Sequence, residues 1–401
     1  MDKLTIDDID LSGKRVLTRV DFNVPLKDGT VADDTRIAAT IPTIQKIVSS
    51  GGKAILMSHL GRPKGDVNPA MSLRPVAERL SRLMGKEVSF AEDCRGKIAA
   101  GAIKKLKKGD ILLLENLRFH QEEEDNDSKF AKELAALGDL YVNDAFGTAH
   151  RAHASTEGIT KFIHTSAAGY LMKKELDYFG MIIDNPARPF IAILGGAKIS
   201  GKIDVIANLL AKIDGLLIGG GMAFTFFKAK GFEIGRSLLE EDKLAEAANI
   251  ITLAEARQVD LILPIDIVTT SDINSDNPAT RTVMAAGMDD DSIGVDIGPR
   301  TIERFDKIID SAGTVVWNGP MGIFEKEQFA KGTFEVARIL AEASDNGCIS
   351  IVGGGDSASA VSKAGFSDRM SHVSTGGGAS LEFLEGKTLP GVAALTSKGD
   401  K

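Results

Sequence analysis

The segment Cys348-Ile-Ser-Ile-Val-Gly-Gly-Gly-Asp-Ser357 reads as a short apolar strand, a glycine turn and the start of a helix. Parallel α/β sheets use this order to aim backbone N–H groups at a phosphate, with glycine allowing close approach. Asp356 adds a hard carboxylate oxygen of the kind Mg²⁺ prefers. Taken alone, such a turn is more often purely structural, so its neighbours must decide.

Strand-like runs precede it near Phe190–Leu194, Gly215–Ile218, Leu261–Val268 and Thr314–Trp317, with helical patterns between them. An earlier series, Arg15–Phe22, Lys53–Ser58, Asp110–Leu114 and Leu140–Val142, repeats the alternation. Alternating strand and helix predicts an α/β protein with parallel-sheet cores, here two Rossmann-like domains. Thr35 and Ser72 are expected to cap helices ending near Gly51 and Gly85. Ala167–Ile183 reads as a linking helix that stops before Asn185-Pro186, because the residue before proline disfavours helix. The expected domains are 1–170 and 171–385.

The chain has 401 residues, more than one core usually spans at roughly 150 residues per domain. Hydrophobic content of 43% and charged content of 26% suit a folded globular protein. A formal net charge of -8 opposes nucleic-acid or acidic-membrane binding, so an anionic ligand needs a local basic pocket. Cys94 and Cys348 show no metal or disulfide spacing and are expected to be small buried hydrophobes in a reducing compartment. Met1–Lys14 lacks a secretory pattern, and the weakly polar stretch Leu216–Phe227 is shorter than the roughly 20 residues that span a bilayer. The expectation is a cytoplasmic enzyme without a membrane partner.

Gly195-Gly-Ala-Lys-Ile-Ser-Gly-Lys-Ile203 also follows a strand. From Gly196 it spells GxxxxGK, yet Ile203 stands where a P-loop needs a hydroxyl for Mg²⁺, so a Walker loop is disfavoured. Lys198 and Lys202 remain candidates for phosphate contact, with Lys198 favoured for the migrating group. Asn318-Gly-Pro-Met-Gly-Ile-Phe-Glu325 ends another strand on the ligand-binding side of the sheet, and Glu325 suits ribose hydroxyls. Glycines at 219–221 and 376–378 fit either tight packing or ligand approach.

In the first half, polar and basic residues recur after strands: Arg19, Asp21, Asn23, Arg36, His59, Arg62, Arg118, His120, His150, Arg151 and His153. Converging arginines would form an anion site, since the guanidinium fork matches carboxylate and phosphate. The spacing of His150 and His153 fits a metal, but no cysteine or acidic cluster completes it, and hydrogen bonding is favoured. A dehydrogenase reading lacks a GxGxxG turn after the first strand, and a solute-binding reading lacks an export signal.

With these segments in place, the chain resembles the phosphoglycerate kinase family from end to end. The resemblance rests on Arg19–Pro25 (RVDFNVP), Ser58–Gly65 (SHLGRPKG), Glu115–His120 (ENLRFH), Asn143–Ser155 (NDAFGTAHRAHAS), Ile193–Ile203 (ILGGAKISGKI), Trp317–Glu325 (WNGPMGIFE), Gly353–Ser357 and Ser374–Val392. It implies reversible phosphoryl transfer from 1,3-bisphosphoglycerate to ADP, giving 3-phosphoglycerate and ATP, in a hinge-bending enzyme expected to be a monomer. By motif match, Asp21 and Asn23 address the glycerate, and His59, Arg62, Arg118 and Arg151 its remote phosphate. Arg36 sits at the reacting end. Gly195, Lys198, Lys202, Gly219, Gly220, Asn318, Pro320, Glu325, Gly353, Gly354, Gly355 and Ser357 face the nucleotide, and Asp356 holds Mg²⁺. Arg36, Lys198, Gly354 and Gly377 are the implied catalytic set. The tail 386–401 is implied to pack on the first domain. Ser357 replaces a frequent threonine and keeps the hydroxyl. Lys173 departs from the pattern, standing where relatives commonly carry an acid thought to pair with the histidine matching His372.

Overall fold

Strand β1 (Arg15–Arg19) is buried from Val16 onward, which explains why the successive residues Val16 and Leu17, on opposite faces, are both apolar instead of alternating with polar ones. The computed structural model describes residues 2–400. After β1 come a small hairpin, β2 (Leu26–Lys27) with β3 (Thr30–Val31), and the strands β4 (Lys53–Met57), β5 (Val88–Ala91), β6 (Ile111–Leu114), β7 (Leu140–Asn143) and β8 (Ser166–Ala168). Apart from the hairpin they form one parallel sheet in the order β5-β6-β4-β1-β7-β8. Helices Thr35–Ser49 and Arg74–Met84 bury Ile37, Ile44, Val76 and Leu80 in the core that contains Val16, Leu56 and Val142.

The second series runs β9 (Phe190–Leu194), β10 (Gly215–Ile218), β11 (Asp260–Ile262), β12 (Asp266–Thr270), β13 (Thr280–Met284), β14 (Ile293–Ile297), β15 (Thr314–Asn318), β16 (Ile349–Gly353) and β17 (His372–Val373). A parallel sheet has the order β11-β10-β9-β15-β16-β17, and β12 pairs antiparallel with β13 and β14 in a separate sheet. The expected single strand Leu261–Val268 is therefore two strands in two sheets. Pro264 lies between them and lacks the N–H that would continue a ladder. Trp317, Val315, Phe305 and Leu340 fill the core of this unit.

The chain divides into two compact units within the helix Tyr170–Asp184, the first ending at Asp177 and the second spanning Tyr178–Lys387. The tail from Thr388 belongs with the first unit. There Gly391 N–H donates to the Ala149 carbonyl at 2.9 Å, Thr396 N–H to Ser166 at 3.0 Å, and Leu4 N–H to Thr396 at 2.9 Å.

Local punctuation differs from expectation by a residue or two. Asp34, not Thr35, is the N-cap of the first helix, and Thr35 N–H donates to the Asp33 carboxylate at 2.8 Å. Ser72 Oγ accepts from Arg74 N–H at 3.2 Å, one residue outside the assigned cap Leu73. The linking helix starts at Tyr170, after β8, because Asp144 Oδ1 accepts the orphan first-turn amides of Leu171 at 2.9 Å and Met172 at 3.1 Å. A Cβ at Gly169 would overlap that carboxylate. On this helix Lys173 is half-exposed and paired with Asp177, while the fully buried acid is Glu175, two residues further on. Among the described residues, no helix is long and apolar enough to cross a membrane.

Candidate active site

In the first unit, the predicted residues emerge from the carboxyl ends of β1, β4, β6 and β7, where parallel sheets bind ligands, apart from Arg36 in the first turn of the helix Thr35–Ser49. Ser58 Oγ accepts from Phe22 N–H at 2.9 Å, and Asn23 Oδ1 accepts from Gly61 N–H at 2.9 Å, so the loops after β1 and β4 are tied together. Glu115 accepts from the Ser72 hydroxyl at 2.7 Å and Leu73 N–H at 2.8 Å. Asn116 donates to the Leu60 carbonyl at 2.7 Å and accepts from Arg118 N–H at 3.1 Å. The ENLRFH segment thus contains two residues that brace the neighbouring loop, Glu115 and Asn116, and one, Arg118, that brings positive charge.

Arg36 Nη1 lies 3.2 Å from both Asp21 Oδ2 and the Asn23 carbonyl. Arg118 donates to the Gly61 carbonyl at 2.9 Å and pairs with Glu124 at 3.0 Å. Arg19, 1% exposed, donates from Nε to Ser155 Oγ at 2.8 Å and from Nη1 to the Val20 carbonyl. Burial, then Arg19, Arg118 and Arg36, hold His59 well below the usual imidazole range. His153 is pushed down to about 4 by burial and then by Arg19, Arg118 and Arg151. These side chains consequently share one positive field built on a buried scaffold. Arg151 Nε is 3.0 Å from His150 Nε2. Arg62 is exposed and has no side-chain partner among the described residues.

His120 does not join this set: its Nε2 is 2.9 Å from Asp93 Oδ1 and its ring packs on Phe130. Glu123, which the sequence reading passed over, is fully buried and accepts from Ser155 Oγ at 2.6 Å and Ser155 N–H at 2.9 Å. Its carboxyl is raised by burial, against the opposing pull of Arg19.

In the second unit, a pocket of about 470 Å³ gathers Lys198, Lys202, Asn318, Pro320, Gly354, Gly355, Asp356, Ser357 and Gly377. Gly354 adopts φ +91° as N-cap of the helix Gly355–Lys363, and no side chain caps it, leaving first-turn amides for an anion. Lys202 Nζ donates to Asn318 Oδ1 at 2.6 Å, and burial lowers its pKa against the opposing charge of Asp356. Lys198 and Asp356 are exposed and have no hydrogen bond to the described residues. Buried Ser357 Oγ accepts from Gly319 N–H at 2.6 Å, holding the turn after β15.

An apolar pocket of about 420 Å³ shares Gly196, Ala197, Pro320 and Asp356 with the first and reaches Gly220 and Glu325. Ile323, from the Trp317–Glu325 motif, also lines it, together with Phe224, Leu238 and Gly294, which no motif announces. On its wall, burial raises Asp296 to about 7, although its carboxylate accepts from Ile297 N–H at 2.9 Å and Gly332 N–H at 2.5 Å. Gly195 and Gly219 are used for packing: a Cβ would overlap the Pro320 carbonyl at the former and Met321 Sδ at the latter. Their amides already donate to Asn318 and Leu194 carbonyls at 3.0 and 2.9 Å. Gly220 N–H donates to Met321 at 3.0 Å, so its contribution to the pocket is its surface. The main chain between Gly195 and Gly201 is held from the side by Glu240, which accepts from Ile199 N–H at 2.6 Å and Ser200 N–H at 3.2 Å.

A glycine-lined polar pocket at parallel-strand ends, continuous with an apolar one, has the form of a nucleotide site, and an arginine field on a second parallel sheet has that of an anion site; together they define an α/β phosphotransferase. A family model described as phosphoglycerate kinase matches residues 6–387. Curated phosphoglycerate kinases from Chlorobaculum tepidum and Chloroherpeton thalassium are 59% and 57% identical over 399 and 397 residues, covering 98% and 99% of this chain and 100% of each relative. The solved phosphoglycerate kinases of Coxiella burnetii and Pyrococcus horikoshii superpose with TM-scores of 0.88 and 0.83 at 39% and 32% identity, each over 98% of both chains. The chain belongs to the phosphoglycerate kinase family, and the enzyme is a kinase. Neither the dehydrogenase nor the solute-binding reading has support.

Proposed function

We propose that the first unit binds 3-phosphoglycerate or 1,3-bisphosphoglycerate through Asp21, Asn23, Arg36, His59, Arg62, Arg118 and Arg151, and that the second binds Mg-ADP or Mg-ATP. The reaction, glycolytic transfer of phosphate between 1,3-bisphosphoglycerate and ADP, follows from family membership. The observation that carries the assignment is the continuity of the polar pocket, where Lys198 and Asp356 make no hydrogen bond to the described residues, and the apolar pocket beside it. Phosphates fit the former and a base the latter, with Glu325 available to the ribose between them.

In the ATP-consuming direction the attacking group is a carboxylate, ionised at neutral pH, so no general base has to create it. The remaining work is alignment and neutralisation of charge on the migrating phosphoryl group. Exposed Lys198 and partly buried Arg36 provide cations for this, and the amides at Gly354 and Gly377 provide oriented dipoles. Asp356 fits Mg²⁺ in its donor chemistry: a hard, exposed carboxylate oxygen beside the phosphate pocket with no competing hydrogen bond. Bound Mg²⁺ supplies further neutralisation of phosphate charge.

Because the ligands are assigned to different units, transfer requires hinge closure, which also excludes water that would hydrolyse an acyl phosphate. A monomer acting in the cytoplasm is the reading that family membership supports. The test is 3-phosphoglycerate-dependent ADP formation with Mg²⁺, paired with solution scattering. Turnover and a radius of gyration that falls most with both ligands present are expected. A folded protein without turnover overturns the assignment, and an unchanged radius overturns closure.

A further inference from the structure

We propose that Asp93, Cys94 and His120 form a binding site for a borderline-soft divalent cation of the Zn²⁺ type, separate from the Mg-nucleotide site. The Cys94 sulfur, an imidazole nitrogen of His120 and a carboxylate oxygen of Asp93 all lie within 4.8 Å of one another. Topology explains a cluster that linear spacing conceals. β5 and β6 are parallel neighbours with Ala91 opposite Leu114, so the chain just beyond β5 and the turn beyond β6 emerge side by side. Asp93-Cys94 comes from the first and His120 from the second.

The ligand types suit Zn²⁺, which takes thiolate, imidazole and carboxylate in tetrahedral geometry with bonds of about 2.0–2.3 Å. Those lengths put neighbouring ligand atoms about 3.5 Å apart. The 2.9 Å His120–Asp93 contact must therefore open, and no separation within the 4.8 Å limit has to close by more than about 1.3 Å, a change on the scale of side-chain rotation. Cys94 is fully buried, whereas the His120 and Asp93 side chains are 23% and 32% exposed, so a cation enters past the imidazole and carboxylate and stops at the sulfur. Three protein ligands leave the fourth position to water.

The surroundings favour positive charge. Burial foremost, then Asp93 and Glu123, hold the Cys94 sulfur as the thiol until a bound cation displaces its proton. The nearby Arg95 is neutralised by Glu122 at 3.2 Å and Glu133 at 2.8 Å, with its guanidinium over the Phe130 ring. The same ring packs against His120 and fixes the imidazole plane. On binding, the S–H bond breaks, its proton leaves to solvent, and the sulfur lone pair forms the metal bond. Hard Mg²⁺ has little affinity for this thiolate set.

Co²⁺ titration of the chelator-treated, full-length enzyme, with Zn²⁺ as competitor, tests the site. One equivalent should produce a thiolate-to-cobalt charge-transfer band that Zn²⁺ abolishes and excess Mg²⁺ leaves intact. Cys94→Ser should eliminate the band and His120→Asn should weaken Zn²⁺ binding by about tenfold or more, while Cys348→Ser should retain both properties. Absence of the band in the wild type, its survival in Cys94→Ser, its loss in Cys348→Ser, or unchanged Zn²⁺ affinity in His120→Asn would each overturn the proposal. If Cys94→Ser does not fold, the wild-type spectrum and the partly exposed His120→Asn variant decide it.

Discussion

Arg19 Nη2 lies 3.1 Å from His59 Nδ1, and because a guanidinium only donates, Nδ1 accepts and the neutral imidazole carries its proton on Nε2. A buried arginine that the sequence shows as one basic residue among many therefore sets the tautomer of a substrate-site histidine.

This arrangement predicts a pH response. Lowered imidazole pKa values mean that the unfolded chain binds more protons, so the stability they contribute is present above about 6.5 and lost as pH falls through the folded pKa, about 4 for His153. Asp144, raised to about 6, and Asp296, raised to about 7, act oppositely: their burial costs stability as pH rises through those values. Unfolding curves from pH 4 to 7 should show a steeper gain with pH in Asp296→Asn than in the wild type, and a shallower one in His153→Gln. Proton NMR should find no His59 titration near 6.5 in the folded enzyme, and an ordinary titration there would refute the tautomer assignment.

Arg62 has no side-chain partner to lose among the described residues. Arg62→Ala should weaken 3-phosphoglycerate binding about tenfold to a hundredfold, the worth of a charged hydrogen bond, with stability within about 0.5 kcal/mol of wild type. Arg118→Ala should lose comparable affinity and also stability, since it abandons the Gly61 carbonyl and Glu124. Calorimetry should show Mg-nucleotide affinity nearly unchanged in both; an equal loss there would contradict the division between units.

Lys198→Ala should lower kcat by about 10²-fold or more with little change in nucleotide binding, as for removal of a preorganised transition-state donor. Its exposed, unpartnered side chain predicts an unchanged melting temperature. A raised nucleotide KM at normal kcat would reassign the lysine to ground-state binding.

Asp356→Asn should raise the Mg²⁺ concentration needed for half-maximal rate while leaving 3-phosphoglycerate affinity intact. Initial rates across a Mg²⁺ series measure this, and an unaltered metal dependence would take Asp356 out of the metal site.

Ser357→Ala strands the buried Gly319 amide and should cost about 1–3 kcal/mol. Ser357→Thr keeps the acceptor and should recover most of that loss in denaturant unfolding. If alanine and threonine variants unfold alike, the hydroxyl does not hold the turn.

Much of the site was legible because anion-binding chemistry leaves marks along the chain. Glycines precede helix starts, arginines follow strands, and Lys198, Asp356 and the Gly353–Gly355 turn lie where their local pattern put them. The apolar pocket was legible in part, along its Pro320–Glu325 edge and at Gly220: Phe224, Leu238 and Gly294 are ordinary apolar or small residues until folding makes them part of one wall. Local pattern did not reveal the close packing of Gly195 and Gly219, because it depends on Pro320 and Met321 far along the chain.

By itself, the sequence determined the α/β class, the two parallel-sheet series and the family, because periodicity, turn chemistry and ordered motifs are local properties of the chain. Tertiary structure alone decided where Pro264 divides one apolar run between two sheets, which acid on the linking helix is buried, and which charges meet. Arg19 reaches His59 only through the register of β1 against β4, and Cys94 approaches His120 only because β5 lies beside β6. Burial and electrostatic coupling depend on distances through space, which sheet order sets and linear spacing does not encode.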